Sequence, residues 1–203
     1  KGRDWHFELG TELSAQLVQM AKNHQTTLYT VMLSAFYLTL AKMSGQKDIV
    51  VGTPSDNRDH AQIQHLVGFF VNTLPLRTQL DDNHSVSQWI AQVHQTISGA
   101  KVHQALPFEK LVEVVDVARD VSRHPIFQVM FTLQNFGGQQ SALQENTPSQ
   151  QNTEHRSLPF QPVDLNAGQR LYSPAKVDLS LGITEVNVQM MGVLNYAYRK
   201  SVG

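Results

Sequence analysis

Apolar and polar positions alternate through Trp5-His6-Phe7-Glu8-Leu9 and stop at Gly10, the pattern of a short half-buried strand. Thr11 then stands where a helix cap is expected, and Leu13, Leu17 and Met20 recur at helical spacing up to about His24. A second helix is predicted from about Thr27. There Leu28, Val31, Met32, Ala35, Phe36, Leu38 and Leu40 cover nearly the whole circumference, so the helix should be buried inside a larger assembly. A membrane span is excluded: the run is shorter than the ~20 residues a bilayer needs and is interrupted by Thr30, Ser34 and Thr39.

Asp48-Ile49-Val50-Val51-Gly52 reads as a buried strand that ends in a polar loop, Thr53-Pro54-Ser55-Asp56-Asn57-Arg58. Val67 to Leu80 reads as a further extended segment, broken by Pro75. Ser85 to His103 is helical, with Val86, Trp89, Ile90, Val93 and Ile97 on one face. Pro107 in a first-turn position, with Glu109 close behind, opens a short helix through Leu111, Val112 and Val115. Ile126 to Leu133 is strand-like. The chain then turns polar, and residues 136–156 are expected to form a flexible loop. Two closing strands, Val177 to Glu185 and Val188 to Tyr198, should make a hairpin with Asn187 near the turn. No internal repeat or linker divides the chain, so 1–203 is read as one unit. The fold class is α/β, a two-layer sandwich in which helices cover one mixed β-sheet.

Composition narrows the chemistry. Over 203 residues, 16 Lys+Arg face 17 Asp+Glu, a net charge of −1 that offers nucleic acid no basic footprint. The absence of cysteine removes disulfides, thiolate catalysis and Cys-ligated metal sites. The opening Lys1-Gly2-Arg3-Asp4-Trp5-His6 lacks the apolar stretch of a signal peptide, so a cytoplasmic location is expected. No Gly-x-Ser-x-Gly elbow, Walker loop or Gly-x-Gly-x-x-Gly occurs. Within the predicted helices none of the nine histidines pairs with another or with a carboxylate at i, i+3 or i, i+4, and His60 and His65 lie five apart in a polar stretch, so no metal is expected.

Three segments stand out. Thr53 to Arg58 displays hydroxyls, an amide and a guanidinium after a rigid strand; an ordinary surface loop has the same composition, and both readings stay open. Val67-Gly68-Phe69-Phe70-Val71-Asn72-Thr73-Leu74-Pro75-Leu76-Arg77 embeds an Asn-Thr pair in an apolar strand. If buried, that pair must find partners, either by bracing a neighbouring loop or by facing a cavity. Arg119-Asp120-Val121-Ser122-Arg123-His124-Pro125-Ile126-Phe127-Gln128-Val129-Met130-Phe131 reads as a charged structural staple, Asp120 near Arg123, leading into a core strand.

In this order, and with His103-Gln104-Ala105-Leu106-Pro107-Phe108-Glu109-Lys110-Leu111-Val112 between the second and third, the segments resemble the C-terminal half of a condensation domain from a nonribosomal peptide synthetase. Gly45 to Pro54 and Ala175-Lys176-Val177-Asp178-Leu179 add weaker support, and the matching stretches run from about Trp5 to Tyr198. The chain departs from the family at Ala105, where an acidic residue is usual, at Val177, where Phe is usual, and at Asp56-Asn57 before Arg58. The family's catalytic motif, two histidines followed by Asp-Gly, is missing, since no His-His pair occurs in the sequence.

The resemblance implies one lobe of a two-lobed, chloramphenicol acetyltransferase-like enzyme, with the catalytic motif in an N-terminal lobe that the chain lacks. It implies amide formation in a tunnel between the lobes, served at each end by the 4′-phosphopantetheine arm of a peptidyl carrier protein. The partners implied are the N-terminal lobe, carrier protein domains and an adjacent adenylation domain, with no bound cofactor. Thr53, Ser55, Arg58 and Asn72 are the candidates for the tunnel floor. Arg77, Pro107, Phe108, Asp120 and Arg123 fall in the structural parts of the motifs, and no residue of the chain is expected to be catalytic. An epimerisation domain lobe and a non-catalytic module that docks carrier proteins or a tailoring enzyme remain alternatives.

Overall fold

The computed structural model describes residues 2–55, 71–115, 124–135, 177–186 and 189–197. Expectations for Arg58, His60, His65, Asp120, Arg123, Asn187 and the 136–156 loop lie outside them. The described elements run β1 (Gly2–Leu9), α1 (Thr11–Asn23), α2 (Leu28–Ser44), β2 (Asp48–Ser55), β3 (Asn72–Gln79), α3 (Val86–Val102), α4 (Phe108–Val115), β4 (Val129–Asn135), β5 (Leu179–Val186) and β6 (Gln189–Ala197). The strands form a six-stranded mixed sheet in the order β1-β6-β5-β4-β2-β3. β4 runs parallel to both β2 and β5, and the other pairs are antiparallel. The expected closing hairpin is present, with Leu179 opposite Tyr196 and Val186 opposite Gln189.

Helices α1, α2 and α3 form a layer on one face of the sheet, with α2 between the other two. Met32, Leu33, Phe36 and Tyr37 of α2 meet Trp89, Val93 and Ile97 of α3 over Ile49, Val51, Leu76, Phe131, Ile183 and Met190 of the strands. Buried aromatic polar atoms find partners across this core, as burial requires. The Tyr37 hydroxyl donates to the Leu76 carbonyl at 2.6 Å, and the Trp89 indole N–H donates to the Ser34 carbonyl at 3.1 Å. Burial, reinforced by the neighbouring Tyr29, pushes the Tyr37 phenol far above its ordinary range, which keeps it a donor. The apolar circumference of α2 is explained by its central place, although Ala35, Leu38 and Thr39 leave a narrow solvent strip. Helix ends are closed locally: Thr27 caps α2, Ser85 and Gln88 form a capping box on α3, and Gly45 ends α2 at φ +70°.

Four local expectations are corrected. Thr11 does not cap α1; Gly10 holds the cap position, and Thr11 is the first helical residue. The buried Ser14 ties the helix down, its hydroxyl donating to the Leu9 carbonyl and accepting from the Met190 N–H. β2 does not end at Gly52, because Thr53, Pro54 and Ser55 stay in the ladder opposite Leu74, Thr73 and Asn72. Pro75 does not break its strand: β3 is an edge strand, where a missing N–H costs no ladder bond. Pro107 precedes α4 rather than lying in its first turn, and its carbonyl accepts from the Lys110 and Leu111 N–H groups.

On the sheet face opposite the helical layer, Phe127 lies fully buried against Gly52, where any Cβ would fall inside its ring. Phe108 and His124 complete an aromatic cluster, with ring centroids 5.7 and 4.0 Å from Phe127. Burial lowers the His124 pKa, partly offset by a hydrogen bond with the Phe127 backbone.

Candidate functional site

Where β2 and β3 continue past the short pairing of β2 with β4 at Val51–Val129 and Gly52–Met130, the helical layer and the sheet separate into a cleft of about 660 Å³. Four parts build its walls. The first turn of α2 contributes Thr27, Tyr29 and Thr30, and the end of β2 contributes Thr53, Pro54 and Ser55. Leu74, Leu76, Ile97 and Leu133 make an apolar floor, with Val71 at its edge. The second half of α3 and the turn after it supply His94, Ser98, Lys101 and Gln104. An apolar base with a few converging polar groups is the usual make-up of a small-molecule site.

Alternation along β2 explains why Thr53 and Ser55 serve this site. Ile49, Val51, Thr53 and Ser55 share the face toward the helices, so a core-facing strand delivers two hydroxyls once it passes the last apolar position. The Tyr29 hydroxyl donates to Thr53 Oγ1 at 2.8 Å. Burial pushes the Tyr29 phenol up to about 12 despite that bond, so it remains a neutral donor at neutral pH. Thr26 Oγ1 and His94 Nδ1 share a hydrogen bond of 2.8 Å, which holds the imidazole at the α2–α3 junction.

The sequence-derived candidates separate into different roles. Thr53 and Ser55 line the cleft. Ser55 also donates to Gln104 Oε1 at 2.7 Å, joining the tip of β2 to the connection between α3 and α4. Asn72 is a bracket. Its Nδ2 donates to the Gln104 and Leu106 carbonyls, both at 2.8 Å, and its Oδ1 accepts from the Phe108 and Thr73 N–H groups. All four hydrogen-bonding positions of the amide are thereby used, and it braces the α3–α4 connection. Arg77 clamps Asp48 across the ladder through two bonds of 2.9 and 2.7 Å and does not line the cleft. Gln79 adds a third, and these contacts hold the Asp48 carboxyl down at about 2. Phe108 belongs to the aromatic cluster under Gly52. Among the described residues no group of three or more His, Cys, Asp or Glu could hold a metal ion. No described helix is long and apolar enough to cross a membrane.

Tyr29, His94, Ser98, Lys101 and Gln104 were not singled out from sequence. His94, Ser98 and Lys101 follow one another at i, i+4 and i+7 and share a side of α3. That polar stripe was readable beside the apolar face, but only the fold turns it toward β2.

The family model described as Condensation domain matches residues 1–199. The chain is 36% identical over 191 residues to bacitracin synthase 3 of Bacillus licheniformis, covering 94% of this chain and 3% of that protein. A four-domain nonribosomal peptide synthetase solved with AMP and glycine superposes with a TM-score of 0.77 at 27% identity, over 97% of this chain and 15% of that one. The X-domain from teicoplanin biosynthesis shares the fold, with a TM-score of 0.76 at 20% identity, over 97% of this chain and 42% of that one. The chain thus spans a small fraction of the curated relative's length and about two-fifths of the smaller structure's.

Proposed function

The chain belongs to the condensation-domain family, whose chloramphenicol acetyltransferase-like fold it shares, and from that premise we propose that it is the C-terminal lobe of a peptide-bond-forming domain. One observation carries the reading. The family model runs over residues 1–199, yet the sequence contains no His-His pair. In this reading the catalytic histidines belong to an N-terminal lobe and this lobe supplies a wall of the tunnel between them. The partners are that lobe, peptidyl carrier proteins at the two tunnel mouths and a neighbouring adenylation domain, all in the cytoplasm.

The reaction is attack of an acceptor amine on the carbonyl carbon of a donor thioester. A C–N bond forms, the C–S bond breaks, and the amine proton leaves as the thiol is released. The contribution of this lobe is placement and exclusion of water, which would otherwise hydrolyse the thioester. Thr53, Ser55 and Ser98 offer hydrogen bonds to the amides of a 4′-phosphopantetheine arm, and the floor of Leu74, Leu76, Ile97 and Leu133 accepts an acyl chain.

The test is a carrier-to-carrier transfer assay with the chain joined to its N-terminal lobe. Thr53→Val and Ser55→Ala are expected to lower transfer at least severalfold while melting stays within a few degrees. The 203-residue chain alone should give no amide product. Product from the isolated chain would overturn the reading. Retained carrier binding without transfer in the two-lobed protein would favour a docking module, and inverted stereochemistry at the donor would favour an epimerisation lobe.

A further inference from the structure

The two edges of the described sheet differ in character. β3, at one end, carries Pro75, which blunts that edge against further pairing. β1, at the other end, runs eight residues without a proline and pairs in unbroken register with β6. The neighbouring ladder fixes where its backbone groups point. The Ala197 N–H donates to the Asp178 carbonyl on the β5 side, so by alternation Leu194 and Gly192 bond toward β1. Their partners Trp5 and Phe7 aim their N–H and C=O groups at β6. Asp4, His6 and Glu8 aim theirs away from the sheet, where no described strand receives them. The side chains alternate as well. Phe7 and Leu9 pack against the core under the helices, and Trp5 stacks on Phe7 at 5.2 Å yet stays 59% exposed. Asp4, His6 and Glu8 lie on the opposite face, all exposed.

We propose that β1 is a self-pairing edge: a second copy of this chain docks on it antiparallel, Trp5 against Trp5, and joins the two six-stranded sheets into one. Charge selects this register. Asp4-Trp5-His6 reads acid, aromatic, base about its centre, so each Asp4 falls opposite His6 of the second copy. These are the hydrogen-bonded pairs, and they use the outward backbone groups of both strands. An imidazole can donate to a carboxylate in either protonation state, and Asn195 Nδ2, 2.6 Å from Asp4 Oδ1, steadies that carboxylate. The two Trp5 residues become the close, non-hydrogen-bonded pair, where aromatic side chains interact well. The flanking registers lose these gains. Centring on Asp4 sets the two Asp4 carboxylates face to face, and centring on His6 sets Asp4 against Glu8 of the second copy. Like charges directly opposite are destabilising. No residue of β1 lines the cleft, so this surface is independent of the tunnel-wall reading.

Sedimentation velocity on the 203-residue chain should show a reversible monomer–dimer transition as concentration rises. Tryptophan emission should shift to the blue over the same range, reporting Trp5, because Trp89 is already buried in the monomer. His6→Pro deletes an outward N–H and leaves the β1–β6 bonds in place, so it should give a monomer with unchanged far-ultraviolet circular dichroism. His6→Asp sets Asp against Asp twice and should weaken the dimer about tenfold. Adding Asp4→His to His6→Asp restores opposite charges in the same register and should recover most of that loss. A monomer at every concentration, a dimer that survives His6→Pro, or a double variant no tighter than His6→Asp alone overturns the inference.

Discussion

Gly52→Ala tests how the cleft strand is held. Gly52 sits in β2 between Val51 and Thr53, with its α-carbon hydrogens toward the Phe127 ring. An added methyl would overlap three atoms of that ring, and the ring has little room to yield. Phe127 is 1% exposed and is packed against Phe108 and His124. Either the ring leaves its rotamer or β2 bows toward the helices, and overpacking of this kind costs about 1–3 kcal/mol. In a domain of this size that is about 2–4 °C of melting temperature per kcal/mol. Bowing would also press Thr53 against Tyr29 and distort the cleft wall. The assay is urea unfolding followed by Trp89, with a double-mutant cycle. Phe127→Ala alone should cost about 3–5 kcal/mol through its cavity. Combined with Gly52→Ala it should cost less than the sum, because the methyl then enters the vacated space. Strict additivity would refute the claim that Phe127 is what demands glycine at position 52.

Asn72→Ala should destabilise the chain by about 2–3 kcal/mol, since it strands the Gln104 and Leu106 carbonyls and the Phe108 N–H; an unchanged rate of amide exchange at Phe108 would contradict the bracket. Tyr29→Phe keeps the ring against Phe131 but leaves Thr53 without its donor, for a loss of about 1 kcal/mol by urea midpoint; an effect of zero would mean water replaces the bond without cost. Asp48 is held at about 2 in the folded chain by Arg77 and Gln79, against about 3.9 for a free carboxylate. Its stabilisation is therefore present above pH ~4 and lost as pH falls toward 2. Asp48→Asn should flatten the melting-temperature profile in that window, and a slope equal to the parent's would show that the pair carries no linkage.

Much of the fold was legible one segment at a time. Helical spacing of Leu13, Leu17 and Met20, the apolar circumference around Phe36 and the alternation in the last two strands are local properties. They give the helices and the closing hairpin without reference to the rest of the chain. Motif order also pointed to the family, because each motif is a contiguous string. What the sequence alone left open depends on partners distant along the chain. Pro75 looked like a break until β3 took the edge of the sheet. Thr53 and Ser55 read as loop until pairing with Leu74 and Asn72 extended β2. Asn72 had to find partners, but those it found lie 32 to 36 residues ahead, in the motif from His103 to Val112, and no local pattern links the two segments. The cleft is the clearest case, because Tyr29, Thr53 and Lys101 come from three separate elements. Local periodicity decides which face of each element is apolar, whereas only close packing in three dimensions decides which polar residues that packing leaves facing one another.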